Sequence, residues 1–497
     1  MKTFLMFKEG VLPENQDKPW GSDFLKQDLE LAKIIDTMAD GDAFLRTVCE
    51  NTLLFPLKGP EEIIYRQDIL KDCISNEPLI RNIYDIVVKC VEKERRESFW
   101  FGQTNPELVL YESVKILRII VDGFRQIHKA LSDSMNAFTS SGFRKFLEQL
   151  NGDLNDSYLK KIEDKLESLS FPHGVSVCVG LGPGNASTGH ILLGPVPHGR
   201  GVGQIIPLGR EKHFTYNLPS RDEAGAQAIA DIRSESVSGI VGILRESAED
   251  VLLFLKKIRE ELAFYVGCLN LYRTVTESGG KLCFPVPDNS GHGGLKFEGL
   301  YELSLRISSG SEVVSNSMDA TGKELIIITG ANRGGKSTFL RSLGQAQLMF
   351  QCGMYVPAES YTSDLRTSLF AHFKREEDRG MTMGKLDEEL ARMSSIVQHL
   401  SRGSMVLFNE SFSSTNTGEG SEISRNIVSA LLEIGVRVFF VTHNYDFASR
   451  YQESYDSRTL FLKAERSEDG TRTYRIIEGE PSDTGHSIDL YEKIFGE

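Results

Sequence analysis

The chain has 497 residues, 70 acidic against 56 basic, for a net charge of −14 and a pI near 5.4. With 40% hydrophobic and 25% charged residues it is neither wholly disordered nor fibrous, and its length leaves room for about three domains. The net acidity excludes a uniformly basic nucleic-acid coat while leaving room for a local basic patch.

The N-terminal stretch Met1-Lys2-Thr3-Phe4-Leu5-Met6-Phe7-Lys8-Glu9 lacks the apolar run of a signal peptide, and no later run approaches the ~20 residues of a membrane span. Cys49, Cys73, Cys90, Cys178, Cys268, Cys283 and Cys352 are scattered, odd in number and form no C-x-x-C pair. Neither a disulfide framework nor a zinc cluster is expected, and a soluble protein of the reducing cytoplasm fits.

Helical periodicity dominates the first 170 residues. It predicts helices over Asp23–Met38, Pro60–Cys73, Pro78–Glu94, Pro106–Met135 and Asp156–Ser168, the last with Leu159, Ile162 and Leu166 on one stripe. Glycine then becomes frequent between 173 and 210, and Val175–Val179 and His190–Leu193 read as strands joined by tight turns. Gly180-Leu181-Gly182-Pro183-Gly184 is read as a turn, because it contains proline and no helix follows. Ser247 with Asp250 forms a capping-box pattern that opens a long helix, whose stripe Val251, Leu252, Leu255, Ile258, Leu262, Tyr265 and Val266 runs to about Val275. Residues 276–290 read as a loop and the main domain boundary. Beyond it, strands alternate with helices as in an α/β domain.

Leu325-Ile326-Ile327-Ile328-Thr329 is an apolar, β-rich run suited to a buried parallel strand. Gly330-Ala331-Asn332-Arg333-Gly334-Gly335-Lys336-Ser337 follows at once and matches the phosphate-binding G-x-x-x-x-G-K-[ST] loop. In such a loop the backbone N–H groups face phosphates, the following helix, Ser337–Phe350, adds its dipole, Lys336 adds a point charge, and the Ser337 hydroxyl is a Mg²⁺ ligand. A second strand, Met405-Val406-Leu407-Phe408, ends in Asn409-Glu410. Asn409 stands at the metal-side position, where its amide oxygen can accept from metal-bound water without carrying charge. Glu410 is the candidate general base. A third strand, Val438–Val441, is followed by Thr442-His443, which places His443 as a candidate contact to the γ-phosphate or to the attacking water.

Taken together these residues resemble the MutS family of DNA mismatch repair ATPases. Thr329–Arg341 is similar to that family's extended P-loop, with Thr338 after the Lys336-Ser337 pair. Gly353-Met354-Tyr355-Val356-Pro357-Ala358 matches its G-x-[FY]-V-P-A. Asn409-Glu410 with Thr415-Asn416-Thr417-Gly418-Glu419-Gly420 resembles D-E…T-S-T-x-D-G, and Val441-Thr442-His443 resembles A-T-H. Pro56-Leu57 and Ile64–Leu70 are similar to the opening of the family's helical core.

The resemblance implies a mixed fold: a mainly α-helical core or lever followed by an α/β, ABC-type P-loop ATPase domain. The implied division is a helical extension over 1–50, the core with its glycine-rich β insertion over 51–290, and the ATPase over 291–497. It also implies ATP and Mg²⁺ as cofactors, Asn316 near the adenine, an ATP-dependent homodimer, and Thr382 in Arg379–Gly384 as the hydroxyl reaching a partner's γ-phosphate. DNA is the implied partner, held by shape or backbone rather than by a mismatch. Phe7-Lys8-Glu9 matches the letters of the family's F-x-E wedge, but the stretch before Pro56 is too short for a mismatch-reading domain, so the match is read as coincidental. A connector, a full DNA clamp, a C-terminal dimerisation extension beyond His486-Ser487-Ile488 and a nuclease appendix are not expected. Asn409 and the acidic balance leave open a second reading, an ATP-dependent interaction protein with slow hydrolysis and no DNA role. A chromosome-structuring ATPase would need long coiled coils and an L-S-G-G signature, and the sequence has neither.

Overall fold

The computed structural model describes residues 2–9, 18–97, 105–132, 137–171, 175–185, 187–193, 217–374, 384–453, 457–467 and 471–481. The chain forms two compact units. The first comprises Met1–Phe4, Pro78–Thr139 and Phe143–Leu262; the second comprises Leu5–Glu77, Ser140–Gly142 and Ala263–Glu497. This division does not follow a linear split at residues 50 and 290, because the first helices in the chain pack with its last two hundred residues.

Those first helices are α1 (Ser22–Asp28), α2 (Leu31–Ala39), α3 (Ala43–Leu53) and α4 (Pro60–Ser75). The single helix predicted over Asp23–Met38 is in fact two, broken at Leu29-Glu30, where Glu30 is left-handed with φ 52°. The break has a tertiary cause. The carbonyls of Asp28, Leu29 and Glu30 accept from Arg341 Nε (3.2 Å), Gln345 Nε2 (2.9 Å) and Ser304 Oγ (2.9 Å). Helix α3 is capped by the Asp42 carboxylate, which accepts from Phe44 N and Leu45 N at 2.6 and 3.0 Å. Helix α4 opens on Pro60, whose missing N–H belongs to a position without an intrahelical partner.

The first unit holds nearly all of α5 (Glu77–Glu97), then α6 (Pro106–Ser132), most of α7 (Ser141–Asp153), α8 (Asp156–Ser168), the hairpin β1 (Val177–Leu181) and β2 (Ser187–Leu192), and α9 (Glu223–Glu277) as far as Leu262. On α6, Leu110, Val114, Leu117, Val121, Phe124, Ile127 and Leu131 are buried, an apolar stripe at three- and four-residue spacing. Phe124 stacks on Phe254 of α9 with centroids 6.1 Å apart. Of the Gly180–Gly184 segment predicted as a turn, Gly180 and Leu181 are paired residues of β1 and only the part from Gly182 turns toward β2, with Gly184 at φ 68°. Helix α9 begins at Glu223, so Ser247 and Asp250 lie inside it rather than at its start. The missed stretch opens Glu223-Ala224-Gly225-Ala226-Gln227-Ala228-Ile229-Ala230, where helix propensity acts without an apolar stripe to announce it.

In the second unit the order continues as β3 (Val286–Pro287), β4 (Leu295–Leu300), α10 (Leu303–Ser309), β5 (Asn316–Asp319), β6 (Leu325–Thr329), α11 (Lys336–Gln351), β7 (Ser360–Ser363), β8 (Leu369–Phe373), α12 (Lys385–Val397), β9 (Met405–Asn409), α13 (Thr417–Glu433), β10 (Arg437–Val441), α14 (Tyr445–Glu453), β11 (Thr459–Arg466) and β12 (Arg472–Glu478). The larger sheet has the order β12-β11-β6-β10-β9-β8, parallel except for β12; the smaller is β3-β7-β4-β5. Every residue of β6 and β10 is buried, as strands covered on both faces require. Leu325, Ile327, Val406, Phe408, Val438 and Phe440 share a core with Met393, Val428 and Phe447 of the helices on one face. Strand β3 lies within the predicted 276–290 loop, formed because β7 offers it a parallel partner.

Helix α11 is gripped at both ends by the N-terminal helices. Arg341 pairs with Glu30 at 2.8 Å, while Leu57 N donates to Gln351 O at 2.8 Å and Arg66 Nη1 to Cys352 O at 3.0 Å. Arg66 is 1% exposed, and its guanidinium lies 5.2 Å from the Phe7 ring and 5.6 Å from that of Phe264. Phe7 of the F-x-E match therefore packs on a buried arginine. Gly353, next along, has φ 73°, and a Cβ there would lie 2.8 Å from Arg66 Cβ. Gly353→Ala combines left-handed strain with overpacking and is expected to cost about 1–3 kcal/mol, read as a lower urea midpoint with unchanged m-value.

Candidate nucleotide-binding site

Three loops leave the carboxyl ends of adjacent strands: 330–335 from β6, Glu410 onward from β9, and Thr442-His443 from β10. Strand β10 lies between the other two, with Val441 paired to Ile328 on one side and Asn409 on the other. In open α/β sheets this edge is where ligands bind.

The loop from Gly330 curls into α11. Gly335 precedes the helix with φ 90°, and Arg333 is left-handed at φ 59° despite carrying a side chain. At Gly334 a Cβ would meet Ala464 Cβ at 2.8 Å, so the loop is pressed against β11. Lys336 turns back into the loop and donates from Nζ to Gly330 O (2.9 Å) and Ala331 O (2.8 Å). Burial pushes its ammonium down to about 8, partly offset by the Glu410 charge. Ser337 Oγ donates to Asn409 Oδ1 at 2.9 Å, which ties the β6 loop to the tip of β9.

Glu410 faces His443, with Oε1 2.9 Å from Nε2. That hydrogen bond is the main cause holding the Glu410 carboxyl below the usual carboxylate range; Lys336 and Lys374 add to it and burial opposes it. Because the carboxylate can only accept, His443 donates from Nε2. Glu410 itself is left-handed, φ 55°. A residue with a side chain in that region costs roughly 1–3 kcal/mol and persists only when its surroundings enforce it, as is common at functional sites.

A cavity of about 520 Å³ opens over the loop. Its lining includes Arg333, Gly334, Gly335, Lys336, Ser337, Thr338 and Glu410, together with Tyr301, Leu305, Asn316 and Tyr474. The size suits a small-molecule ligand. Asn316 Oδ1 accepts from Ile476 N at 2.7 Å, which leaves its amide NH₂ to donate. Gly330, Ala331, Asn332, Asn409 and His443 do not line the cavity; Asn409 is hydrogen-bonded to Ser337 and His443 to Glu410, which do. Thr382 and the rest of 375–383 lie outside the described residues. Sequence reading missed Tyr474 and Tyr301. Tyr474 reaches the cavity through antiparallel pairing of β12 with β11, for which nothing near it in sequence gives a signal.

Among the described residues no group of histidine, cysteine and carboxylate could hold a metal by protein ligands alone, and no helix is long and apolar enough to cross a membrane. A metal bound through one hydroxyl, water and substrate phosphates needs no such cluster, and the Ser337–Asn409 pair fits that manner of binding.

Residues 58–278 match the family model described as the MutS2 N-terminal domain, and residues 326–494 match MutS domain V. The chain is 31% identical to MutS protein homolog 4 of Mus musculus over 146 residues, which is 29% of this chain and 15% of that protein. It is 23% identical to the DNA mismatch repair protein MutS of Listeria monocytogenes serotype 4a (strain HCC23) over 304 residues, 60% of this chain and 34% of that protein. To the MutS protein of Shouchella clausii (strain KSM-K16) it is 26% identical over 258 residues, 50% of this chain and 27% of that protein. The chain thus spans about a third or less of the length of these curated relatives. Two MutS models in chain order, the second beginning inside β6 and running through all three strand tips, lead to one conclusion: the chain belongs to the MutS family.

Proposed function

We propose that the chain binds and hydrolyses ATP at the β6–β9–β10 edge and couples the reaction to contact with DNA. The observation that carries this reading is the convergence of Lys336, the Ser337–Asn409 hydrogen bond and the Glu410–His443 pair on one cavity. Family membership supports it, since mismatch repair MutS proteins stand among the relatives.

In this reading the triphosphate lies along residues 330–338 and the purine between Tyr301 and Tyr474, with the Asn316 amide donating to the base. Ser337, and Asn409 through water, would hold Mg²⁺, which would supply neutralising charge to the phosphates. Lys336 gives up its loop carbonyls for the phosphates. Glu410, ionised at neutral pH, accepts a hydrogen bond from the attacking water and fixes its line of approach. A carboxylate held below its usual range is a weak base, so its contribution is alignment first and proton acceptance late, as the P–O bond to ADP breaks. His443 holds the carboxylate in place. Two chains would share each site, with Thr382 contributed across the interface. DNA contact would fall to lysines and arginines on phosphates, which position a protein without reading bases and weaken steeply with salt.

Purified protein is expected to show Mg²⁺-dependent ATP turnover, increased by duplex or branched DNA at low salt. Lys336→Ala should abolish ATP binding, whereas Glu410→Gln should bind ATP and fail to turn it over. Normal multiple turnover by Glu410→Gln would remove it from the base position, and no DNA effect at any salt would remove DNA from the coupling.

Asn409 carries no charge, so Asn409→Asp should lower the Mg²⁺ concentration for half-maximal turnover. An unchanged requirement would separate Asn409 from the metal.

The Lys336 ammonium also sets a pH dependence. The charged form attracts phosphate, and bound phosphate raises its pKa above the free value of about 8. Affinity is therefore complete below that value and falls as pH rises through it. ATP binding measured by calorimetry should weaken by up to about tenfold between roughly pH 8 and 9.5. A flat profile would contradict the role given to the lysine.

A further inference from the structure

Helix α12 contributes no residue to the cavity lining, yet it is tied to the loop that carries Glu410. The Glu389 carboxylate takes two hydrogen bonds from that loop: Oε2 accepts from the Phe412 backbone N–H, and Oε1 from Ser414 Oγ at 2.8 Å. The Glu389 carbonyl accepts from His372 Nε2 at 3.0 Å. On its other side the His372 ring has Nδ1 2.7 Å from Ser411 Oγ and stacks on the Phe412 ring at 5.2 Å. Residues 411, 412 and 414 are thus all held by α12 or by the neighbouring strand β8.

These contacts enforce the turn at Glu410. Glu410 and Phe412 both take left-handed φ, 55° and 59°, although neither is glycine. On one side Glu410 N donates to Val441 O of β10 at 2.9 Å; on the other, Glu389 holds Phe412 N. Behind Phe412 stands Gly420, where a Cβ would lie 2.6 Å from Phe412 O, so the loop has no room to relax toward α13. The end of the holding arm is itself fixed. Arg392, three residues after Glu389, donates to Ala371 O (2.9 Å) and Phe373 O (3.3 Å) of β8 and pairs with buried Asp28. Asp28 ends the same N-terminal turn whose Leu29 and Glu30 hold Gln345 and Arg341 of α11.

We propose that Glu389 is a positioning residue for ATP hydrolysis: it holds the 410–414 loop in its left-handed turn and so aims the Glu410 carboxylate, without touching nucleotide. This rests on the ATPase reading above and deepens it. Glu389 is not among the residues lining the cavity. Removing its carboxylate leaves the Phe412 N–H and the Ser414 hydroxyl without their acceptor while Lys336 and Ser337 keep theirs. Turnover should therefore suffer and ATP binding should not.

The test uses the full chain, with steady-state turnover and MgATP binding measured for Glu389→Ala, Glu389→Gln, Ser414→Ala and the Glu389→Ala/Ser414→Ala pair. Misplacing a reacting group by a fraction of an ångström costs turnover heavily, so Glu389→Ala is expected to lower kcat by at least about tenfold with Kd for ATP within about threefold. Glu389→Gln keeps one carbonyl oxygen as acceptor and should recover part of the loss. The double variant should be no slower than Glu389→Ala alone, since Ser414 acts through the same carboxylate. If Glu389→Ala does not fold, Glu389→Gln carries the comparison with wild type. A kcat within twofold of wild type, or a Kd that rises as much as kcat falls, overturns the inference. A wild-type protein with no turnover overturns the ATPase reading itself, whereas an active wild type with undisturbed Glu389 variants overturns only the positioning role.

Discussion

Parallel pairing brings the carboxyl ends of β6, β10 and β9 to one edge of the sheet, and that alignment governs what the second unit can do. Parallel strands cannot be joined by hairpins, so each must be followed by a crossover, and here the crossovers include helices α11, α13 and α14. Each strand tip is therefore the start of a loop that runs into or toward a helix. Residue-by-residue register sets Ser337 against Asn409 and Glu410 against His443, although 72 and 33 positions of chain separate the partners. A slip of one residue in β9 would turn Asn409 to the opposite face and break its bond with Ser337. The continuous burial of Leu325–Ile328 and Val438–Val441 makes such a slip costly less by exposure than by repacking, since both faces are apolar.

The N-terminal helices brace that sheet. The turn at Asp28–Glu30 receives hydrogen bonds from α11 and an ion pair from α12, and Trp20 lies flat on His399 with centroids 4.3 Å apart. Asp28 and Arg392 are both nearly buried. Such a pair contributes little net stability, because desolvation offsets most of the attraction, but breaking it strands a charge. Its effect is on uniqueness: it sets one register between α1, β8 and α12. Glu389 and Arg392 together form one physical path from an N-terminal turn through α12 to the backbone of the Glu410 loop.

Charged residues on the cavity lining include Lys336, Arg333, Glu410, Glu302 and Glu312, of which Lys336 and Glu410 carry the assigned roles. Lys336 is cationic, with burial lowering its pKa to about 8, Glu410 is anionic and held by His443, and Asn409 is neutral at the position where the resemblance implies aspartate. The site without ligands therefore carries one negative charge fewer beside Ser337 than the family pattern implies. That shifts the burden of holding a divalent cation toward the phosphates and the serine hydroxyl.

The sequence by itself determined the elements whose cause is local. The apolar runs 325–329, 405–408 and 438–441 became strands, Asp156–Ser168 became a helix with the bounds its stripe predicted, and the glycine loop at 330–335 lies between strand and helix as its spacing requires. The loop residues, Glu410 and His443 were legible for the same reason: each directly follows a run that reads as a buried strand. What only the tertiary structure decided has partners far away in the chain. Helix Asp23–Met38 breaks because Arg341, Gln345 and Ser304 take its carbonyls. Residues 276–290 gain a strand because β7 is beside them, and Tyr474 enters the cavity because β12 pairs with β11. Glu389 meets Phe412 and Ser414 across 23 and 25 positions of chain. Periodicity reports which face of an element is apolar; it carries no information about which distant backbone group will need an acceptor, and here that need is set by packing alone.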